Sequence, residues 1–309
     1  MVKPKLLLTG ATGFLGSHLL ERMLHEGFDV VIVKRSTSDL WRISHLEGQY
    51  HSFDIDLGDV AELFLNQKFD VLVHAATLYK KFEEPDDVTK MIEVNVGFPS
   101  QLLVQAVKTG VRGFINTGTF FEYDCALQPV PETSRKKPFN FYANTKLAFE
   151  TILENFSDQL CINTFKLFSP FGEKDNPKLM PLIFNSAIED KNINLSEGLQ
   201  KIDLIYVHDI VNAYMKSISR MIQREFEPEF EVFNLGSGMP LSIRDIVSLV
   251  EEVNGKSINV EWGERPSKDI DVAYADISKV KNMLGWYPEI GVKKGIENSL
   301  KYYQGVKRK

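Results

Sequence analysis

Hydrophobic residues form short continuous runs through the first half of the chain, and segments with helical periodicity separate these runs. Val30-Val-Ile-Val33 and Val71-Leu-Val73 show no polar alternation, which is typical of strands covered on both faces of a sheet. The predicted strands are Lys5–Thr9, Asp29–Lys34, Tyr50–Phe53, Asp70–His74, Gly113–Thr117 and Cys161–Lys166. The predicted helices between them are Phe14–Glu26, Asp59–Asn66, Asp86–Thr109 and Phe141–Phe156. This alternation predicts an α/β fold with a doubly wound parallel sheet.

After Phe171 the elements become less regular, and the alternation of strands and helices is interrupted by loops. The elements predicted in this half are the helices Leu179–Glu189 and Ser242–Asn254 and the strands Ile202–Tyr206 and Phe230–Leu235. No flexible linker separates the two halves. We therefore expect residues 1–170 to form the main domain, to which the chain returns near residues 204–238. Residues 171–309 should form mainly a smaller, interleaved α/β lobe.

Charge and composition exclude several classes of function. The 36 basic and 42 acidic residues give a net charge of −6, so we expect no general attraction to nucleic acid or to an anionic membrane surface. Cys125 and Cys161 are too few for a disulfide framework or a four-ligand zinc site, and the six histidines show no metal-ligand spacing. Met1-Val-Lys-Pro-Lys5 leads into the short apolar strand, without the long apolar stretch of a signal peptide. No run reaches the roughly 18 apolar residues that span a bilayer. We therefore expect no metal and a cytoplasmic location.

A glycine-rich turn joins the first predicted strand to the first predicted helix, and it reads Gly10-Ala-Thr-Gly-Phe-Leu-Gly16. In this context Gly10 allows a tight turn, Gly13 allows a pyrophosphate to approach the backbone, and Gly16 allows close packing of helix on strand. Free N–H groups at the helix start favour phosphate. A glycine-rich turn can open any helix, but a strand before it and a helix after it favour dinucleotide binding. The contacts predicted here are Gly10, Thr12, Gly13, Phe14, Leu15 and Gly16.

The spacing Gly-x-x-Gly-x-x-Gly resembles the extended short-chain dehydrogenase/reductase family of sugar-nucleotide epimerases, dehydratases and reductases, and the resemblance covers nearly the whole chain. It implies a dinucleotide-binding Rossmann domain in residues 1–170 and a substrate-binding lobe mainly in 171–309. It also implies that Asn95 orients the active-site lysine through water. The further cofactor contacts that it implies are Asp56, Leu57, Ala75, Ala76, Thr77, Asn95 and Thr117.

The end of the second predicted strand bears on the choice of dinucleotide. NAD-specific Rossmann proteins place an acidic residue here to bind the adenosine ribose, but this chain has Lys34, Arg35 and Ser36. Two cations and a hydroxyl suit a 2′-phosphate, and we expect no carboxylate at this position to repel it. A solvated surface pair is the alternative interpretation. The sequence therefore favours NADP(H) as cofactor, with NAD(H) possible.

The motif Tyr142-Ala-Asn-Thr-Lys146 places a phenol and an ammonium four residues apart, on one face of a predicted helix. A neighbouring ammonium favours phenolate, so we expect the pKa of Tyr142 to be lowered. Such a tyrosine can give a proton to a ketone oxygen, or take one from an alcohol, as hydride moves. The pair alone occurs by chance in many helices. The family resemblance adds Thr119 as the catalytic hydroxyl and Tyr142 and Lys146 as cofactor contacts.

The two positions after Thr119 discriminate among the reactions of the family. Dehydratases of the family carry Asp-Glu there, whereas this chain has Phe120-Phe121, which cannot transfer protons. A dehydratase is therefore not expected. The resemblance also implies substrate contacts from Ser169, Lys201 and Arg265, although Ser169 and Lys201 replace the asparagine and arginine that the family has there.

The resulting hypothesis is an NADPH-dependent reductase of a keto group, at C4, on a nucleotide-linked deoxysugar. Within the family, the aromatic pair and Lys34-Arg35 most resemble the CDP-linked 3,6-dideoxyhexose 4-reductases, the abequose and paratose synthases. An NAD-dependent nucleotide-sugar epimerase needs the same triad and is the first alternative. A non-catalytic dinucleotide sensor is the second. The family resemblance further implies a homodimer, formed through helices Asp86–Thr109 and Phe141–Phe156.

Overall fold

The computed structural model describes residues 3–65, 67–80, 84–264 and 270–307. Its strands are β1 (Lys5–Thr9), β2 (Asp29–Lys34), β3 (His51–Asp54), β4 (Val71–His74), β5 (Gly113–Thr119), β6 (Cys161–Leu167), β7 (Ser169–Phe171), β8 (Ile193–Leu195), β9 (Lys201–Ile202), β10 (Leu204–Tyr206), β11 (Glu229–Leu235), β12 (Leu241–Ser242), β13 (Val260–Trp262) and β14 (Val272–Ala273). Its helices are α1 (Phe14–His25), α2 (Val60–Leu65), α3 (Pro85–Ile92), α4 (Phe98–Thr109), α5 (Phe141–Glu154), α6 (Leu179–Glu189), α7 (Val207–Gln223), α8 (Ile243–Asn254), α9 (Ser278–Leu284) and α10 (Gly291–Lys307).

A seven-stranded sheet has the order β11-β6-β5-β4-β1-β2-β3. β1 pairs in parallel with both β2 and β4, and β2 pairs with β3 and β4 with β5 in the same sense. The chain therefore winds outward in both directions from β1, and the strand order reverses between β1 and β4. Ligands of such sheets bind outside the carboxyl ends of the strands at this point. The predicted doubly wound parallel α/β fold is confirmed.

The main core explains why the apolar runs are continuous. Leu6, Leu7 and Leu8 of β1 are all fully buried, so both faces of this strand are covered. The cluster on one face of the sheet joins strand residues such as Leu72 with helix residues such as Phe149, both fully buried. Burial of large apolar side chains on both faces stabilises the central strands.

The prediction of one continuous helix over Asp86–Thr109 is wrong at Glu93–Gly97. The structure has α3 and α4 there, separated by a π-helical turn at Glu93–Gly97. Pro99 lies in the first turn of α4 and has no N–H to offer the carbonyl of Asn95. The regular hydrogen-bond ladder is therefore interrupted at this point. π-turns inside helices are frequent at functional sites, and this one contains Asn95.

The predicted strand Ile202–Tyr206 is also divided in the structure, into β9 and β10. Asp203 lies between them and is fully buried. Its carboxylate accepts hydrogen bonds from the main chain of Ser237, Gly238 and Ala275. These bonds replace a continuous strand ladder at Asp203, and they hold the turn that follows β11.

The chain divides into two compact units. The first comprises Met1–Asp124, Arg135–Lys166 and Val211–Phe233, and the second comprises Cys125–Ser134, Leu167–Ile210 and Asn234–Lys309. The second unit contains three small sheets, in the orders β10-β7, β12-β9-β14 and β13-β8. Across the described ranges, no helix combines the length and apolar character that a membrane crossing requires.

Candidate active site

The turn between β1 and α1 has no room for a side chain at Gly10 or at Gly16. Gly10 has a φ of +73°, and a Cβ there would lie 2.5 Å from the backbone N of Ala76. A Cβ on Gly16 would lie 2.0 Å from the carbonyl O of Gly10. Gly13 donates a backbone hydrogen bond to Gly10 at 2.9 Å and is the N-cap of α1 without a capping side chain. Bare backbone at a helix N-terminus fits a pyrophosphate.

The end of β2 differs from the sequence-based expectation. Lys34 Nζ lies 2.9 Å from Asp54 Oδ2, and Ser36 Oγ donates to the same oxygen. The backbone N of Ser36 donates to Asp56 Oδ2 at 2.9 Å. The hydrogen bond from Lys34 lowers the pKa of Asp54, so this carboxylate is ionised. The expectation that no carboxylate stands at this position is wrong, and the charge of Lys34 is already balanced. The side chain of Arg35 is exposed.

The predicted cofactor contact Leu57, after β3, and those after β4, Ala75 and Ala76, lie in different surroundings. Leu57 is 83% exposed on the surface after β3. Ala75 and Ala76 follow β4 and lie against Gly10, since a Cβ on Gly10 would be 2.6 Å from the carbonyl carbon of Ala75. The structure thus brings the strand end of β4 to the glycine-rich turn.

Polar side chains tie the carboxyl ends of β1, β4 and β5 together. Thr9 Oγ1 and His74 Nδ1 are hydrogen-bonded at 2.8 Å, and Thr9 Oγ1 also accepts from the backbone N of Ala76. Thr117 Oγ1 donates to the carbonyl of His74 and is 2.7 Å from the hydroxyl of Tyr214. Burial lowers the pKa of His74 well below its ordinary value, so the ring is neutral. These contacts fix the strand ends on which the site is built.

Asn95 links the loop after β4 to α5. Its Nδ2 donates to the carbonyl of Leu78 at 2.9 Å and to Thr145 Oγ1 at 3.0 Å. Its Oδ1 accepts from the backbone N of Leu78 and from Thr77 Oγ1. These bonds use both protons and both lone pairs of the amide. Asn95 thereby fastens the loop to α5 beside the Tyr142–Lys146 segment.

Helix α5 carries Tyr142 and Lys146 one turn apart. Asn140 is its N-cap, and the Asn140 side chain accepts from the backbone N of Ala143 at 2.9 Å. Lys146 is 1% exposed, and within the described ranges its Nζ has no hydrogen-bond partner. A buried ammonium without partners is costly unless a ligand supplies acceptors. Ribose hydroxyls are such acceptors, so Lys146 and the glycine-rich turn both fit a dinucleotide.

The pKa values of this pair differ from the expectation. Burial raises the pKa of Tyr142, and a hydrogen bond with the side chain of Thr77 counteracts the rise. Lys146 is not among the groups that lower the Tyr142 pKa, so the expected lowering by Lys146 is wrong. Burial lowers the pKa of Lys146 to about 8. Tyr142 is a protonated phenol at neutral pH, which suits a proton donor.

Thr119 ends β5 and is buried. Its Oγ1 accepts from the backbone N of Phe121 at 3.3 Å, and its backbone N donates to Glu122 Oε1 at 2.9 Å. Glu122 also acts electrostatically on Tyr142 and on Lys146. The buried Glu122 carboxylate therefore contacts the main chain of Thr119 and acts electrostatically on the other two predicted catalytic residues. The sequence analysis missed Glu122, although Thr-x-x-Glu is the pattern of a capping box.

The two positions after Thr119 form an aromatic surface. The ring centroids of Phe120 and Phe121 are 4.4 Å apart, and Phe121 stacks on Phe139 at 5.4 Å. Phe139 is 43% exposed. Neither Phe120 nor Phe121 can exchange a proton.

The three predicted substrate contacts lie apart in the chain from these residues. Ser169 begins β7, where its backbone N donates to the carbonyl of Asp203 at 2.9 Å. Lys201 is exposed on β9. Both belong to the second compact unit. Arg265 lies outside the described residues.

Replacing Lys146 with methionine is expected to stabilise the cofactor-free protein at pH 7. The pKa of Lys146 falls from 10.5 to about 8 on folding, so the charged form opposes folding below pH 8. Removal of this charge in Lys146→Met is therefore expected to raise the free energy of unfolding by on the order of 3 kcal/mol at pH 7. The wild-type protein gains stability as the pH rises from about 8 towards 10.5, because Lys146 loses its charge in the folded state first. The difference in unfolding free energy between Lys146→Met and wild type should therefore be smaller at pH 10 than at pH 7.

Denaturant unfolding of wild type and Lys146→Met at pH 7 and pH 10 measures this effect. The exposed Lys108, on α4, provides a control when it is replaced by methionine. A Lys146→Met protein less stable than wild type at pH 7 would contradict the assignment of Lys146 as a buried, unpaired ammonium.

Comparison with known proteins agrees with this geometry. A sequence model of the NAD dependent epimerase/dehydratase family matches residues 6–236. The chain is 25% identical to the CDP-abequose synthase of Salmonella muenchen, over 97% of this chain and 98% of that protein. It is 24% identical to the UDP-glucose 4-epimerase of Bacillus subtilis (strain 168), over 96% of each. The crystal structure of UDP-glucuronic acid 4-epimerase from Bacillus cereus, in complex with UDP-glucuronic acid and NAD, superposes with a TM-score of 0.87. That similarity covers 98% of this chain and 99% of that chain at 24% identity, and it supports the fold.

Proposed function

The chain belongs to the NAD dependent epimerase/dehydratase family, and on this premise we propose that it is an NADPH-dependent reductase of a nucleotide-linked deoxysugar. The reduced group is a ketone, at C4 of the sugar, and the product enters deoxysugar or polysaccharide synthesis. The observation that carries the proposal is the position of the protonated Tyr142 one helical turn from the buried Lys146, in a chain that has Phe120 and Phe121 after Thr119.

Two findings are consistent with a reductase, and the first separates it from the dehydratases of the family. Phe120 and Phe121 occupy the two positions at which those dehydratases carry an acid and a base, and neither side chain can transfer a proton. The similarity to the Salmonella CDP-abequose synthases extends over 97% of this chain, which is consistent with a reductase of a CDP-linked sugar. Ser169, Lys201 and Arg265 are the proposed contacts to the nucleotide sugar.

The roles of the chain's own residues follow from their chemistry. Gly10, Gly13 and Gly16 admit the pyrophosphate of the dinucleotide at the N-terminus of α1, and Lys146 binds its ribose hydroxyls. The nicotinamide, when bound, supplies the hydride. Tyr142 gives the proton of its hydroxyl to the ketone oxygen, and the hydroxyl of Thr119 aligns that oxygen. The hydrogen bond between Thr77 and Tyr142, which lowers the pKa of Tyr142, then stabilises the tyrosinate that remains.

Cofactor choice is proposed to depend on Arg35. Because Asp54 balances Lys34, Arg35 is the cation of the Lys34-Arg35-Ser36 segment that can face a 2′-phosphate. Arg35→Ala is expected to raise KM for NADPH about 10-fold and to leave KM for NADH nearly unchanged, since a charged hydrogen bond is lost only with NADPH. Steady-state kinetics with both cofactors measure this, and Arg135→Ala, in an exposed loop, is the control. An equal change in both KM values would contradict the proposed role of Arg35.

An NAD-dependent epimerase is the second candidate, and the Lys34–Asp54 pair favours it. Asp54 and Asp56 place two carboxylates at the ribose end, where a 2′-phosphate would be repelled. An epimerase oxidises and reduces the same carbon, so it consumes no cofactor.

A panel of keto-sugar nucleotides, assayed for oxidation of NADPH and of NADH, separates the two candidates. One cofactor consumed for each keto-sugar reduced supports the reductase. Interconversion of two ordinary sugar nucleotides without cofactor consumption would replace it by the epimerase.

The assembly is proposed to be a homodimer that pairs the region Asp86–Thr109 with Phe141–Phe156, as in other members of the family. In the structure the first of these segments comprises α3, the π-turn and α4, and the second comprises α5. Ile92 and Val104 are partly exposed on it, at 48% and 39%.

A further inference from the structure

A buried cluster of charged side chains lies near the end of β5. Lys166, on β6, is fully buried, donates a hydrogen bond to the carboxylate of Glu122 and forms an ion pair with the carboxylate of Glu150, and both carboxylates are buried as well. Lys136 lies 3.7 Å from the other oxygen of Glu150, and its Nζ is 4.1 Å from the ring centre of Tyr123. Two ammonium groups and two carboxylates therefore balance in charge, and of the four side chains that of Lys136 is partly exposed, at 31%. Removing one partner of such a cluster leaves an uncompensated buried charge.

Glu122 connects this cluster to the main chain of Thr119. One oxygen of Glu122 accepts from the backbone N of Thr119 at 2.9 Å, and the other accepts from Lys166. Gly118 has no space for a side chain, because a Cβ there would lie 2.8 Å from Lys166 Cδ and 3.1 Å from Glu122 Oε1. The segment that carries Thr119 is therefore packed directly against the ion pair.

The same carboxylate acts on Lys146. The charged groups that act on Lys146 come from the turn after β5, from α5 and from β6. Glu122 and Glu150 raise its pKa, with Glu122 the larger influence, whereas burial and Lys166 lower it. His74, on β4, is kept neutral by burial and by Lys146 itself. Glu122 is thus the strongest support for the ammonium form of Lys146 among these groups.

We infer that Glu122 is a positioning residue: its carboxylate holds the main chain of Thr119 and supplies the negative charge that stabilises the Lys146 ammonium. Glu122 reaches neither cofactor nor substrate in this role and acts through Thr119 and Lys146. The inference rests on the proposed keto reduction, in which those two residues are catalytic. Lys166 is its partner, since burial raises the pKa of the Glu122 carboxyl and the ammonium of Lys166 counteracts that rise.

The first test is the titration of Lys146 in cofactor-free protein, followed by NMR of ¹³Cε-labelled lysine. The resonance is assigned by its absence in Lys146→Met. Glu122→Gln keeps an acceptor for the Thr119 N–H and removes the charge, so the Lys146 pKa is expected to fall by about one unit. Asp124→Asn makes the same chemical change two residues away, where the side chain lies 3.9 Å from Lys137, and is expected to leave the Lys146 pKa unchanged.

A second variant guards against misfolding caused by an unpaired Lys166. Glu122→Gln combined with Lys166→Met removes the ion pair as a unit. Because Glu122 and Lys166 shift the Lys146 pKa in opposite directions, this double variant should return it towards the wild-type value. A loss of packing alone would not produce a fall followed by a return.

The hydrogen bond to Thr119 is tested separately by amide hydrogen exchange. In the Lys166→Met background, Glu122→Gln should keep the Thr119 amide protected, whereas Glu122→Leu should speed its exchange about 10-fold. An unchanged Lys146 pKa in Glu122→Gln, or equal Thr119 exchange in the Gln and Leu variants, would overturn the inference.

Activity provides a third readout and separates this inference from the proposed function. In a wild-type protein that reduces a keto-sugar nucleotide, Glu122→Gln should lower kcat about 10-fold, with a smaller change in KM, and should shift the alkaline limb of its pH profile downward. A wild type that reduces no member of the panel would contradict the proposed function, while the NMR and exchange results would still decide the role of Glu122. Reduction with unaltered kcat and pH profile in Glu122→Gln would overturn the inference alone.

Discussion

Replacing Tyr142 with phenylalanine is expected to lower kcat for keto-sugar reduction by about 10²–10⁴-fold, the usual contribution of a positioned general acid. The ring and its 4.9 Å edge contact with Tyr79 remain, and only the hydroxyl that carries the transferred proton is lost. KM and cofactor affinity should change little, because Lys146 and the glycine-rich turn are untouched. Stopped-flow or steady-state oxidation of NADPH measures the loss.

Tyr79→Phe is the matched control for this variant. It removes a hydroxyl from the neighbouring ring, which is 46% exposed, and is expected to keep kcat within about twofold of wild type, as is usual for surface changes. A Tyr142→Phe protein with wild-type turnover would contradict the catalytic role of Tyr142. Undiminished biological function of that variant would favour the non-catalytic dinucleotide sensor.

Replacing Gly16 with alanine is expected to abolish measurable binding of NADPH or NADH. The new Cβ would lie 2.0 Å from the carbonyl O of Gly10 and 2.9 Å from Ala11 Cα, and neither backbone atom can move without displacing the turn from α1. Overpacking of this kind lowers the unfolding free energy by about 1–3 kcal/mol or more. Fluorescence titration with reduced cofactor and thermal unfolding measure the two effects.

Gly305→Ala provides the comparison for Gly16→Ala. Gly305 lies in α10 and has no atom within 4 Å of an added Cβ. Alanine there should keep cofactor affinity and raise stability by up to about 1 kcal/mol, because glycine is a poor helix former. Wild-type cofactor affinity in Gly16→Ala would contradict the assignment of the turn as the pyrophosphate site.

The sequence predicts the central strands well, because burial on both faces leaves a continuous apolar run. β1 and β2 begin and end at the predicted residues, Lys5–Thr9 and Asp29–Lys34. The region Asp86–Thr109 was harder, since its apolar periodicity continues through the π-turn. The missing N–H of Pro99 was the local signal of that interruption.

The candidate site is only partly visible in the sequence. Tyr142, Lys146 and the glycine-rich turn follow from spacing, but the pKa of Tyr142 depends on burial, which spacing does not report. The pairing of Lys34 with Asp54 arises from the register of β2 against β3, which places two residues opposite each other that lie 20 positions apart. Long-range pairs of this kind cannot be inferred from either segment alone.

The central claim is that hydride reaches a ketone carbon while Tyr142 protonates its oxygen. The most direct test incubates the protein with a 4-keto nucleotide sugar and NADPH deuterated at nicotinamide C4. With deuterium at both hydrogen positions of nicotinamide C4, the account predicts one deuterium at C4 of the product sugar for each NADPH consumed, and a rate of incorporation about 10²–10⁴-fold lower when Tyr142 is phenylalanine. A sugar product that carries no deuterium at C4, formed while NADPH remains unconsumed, would contradict it.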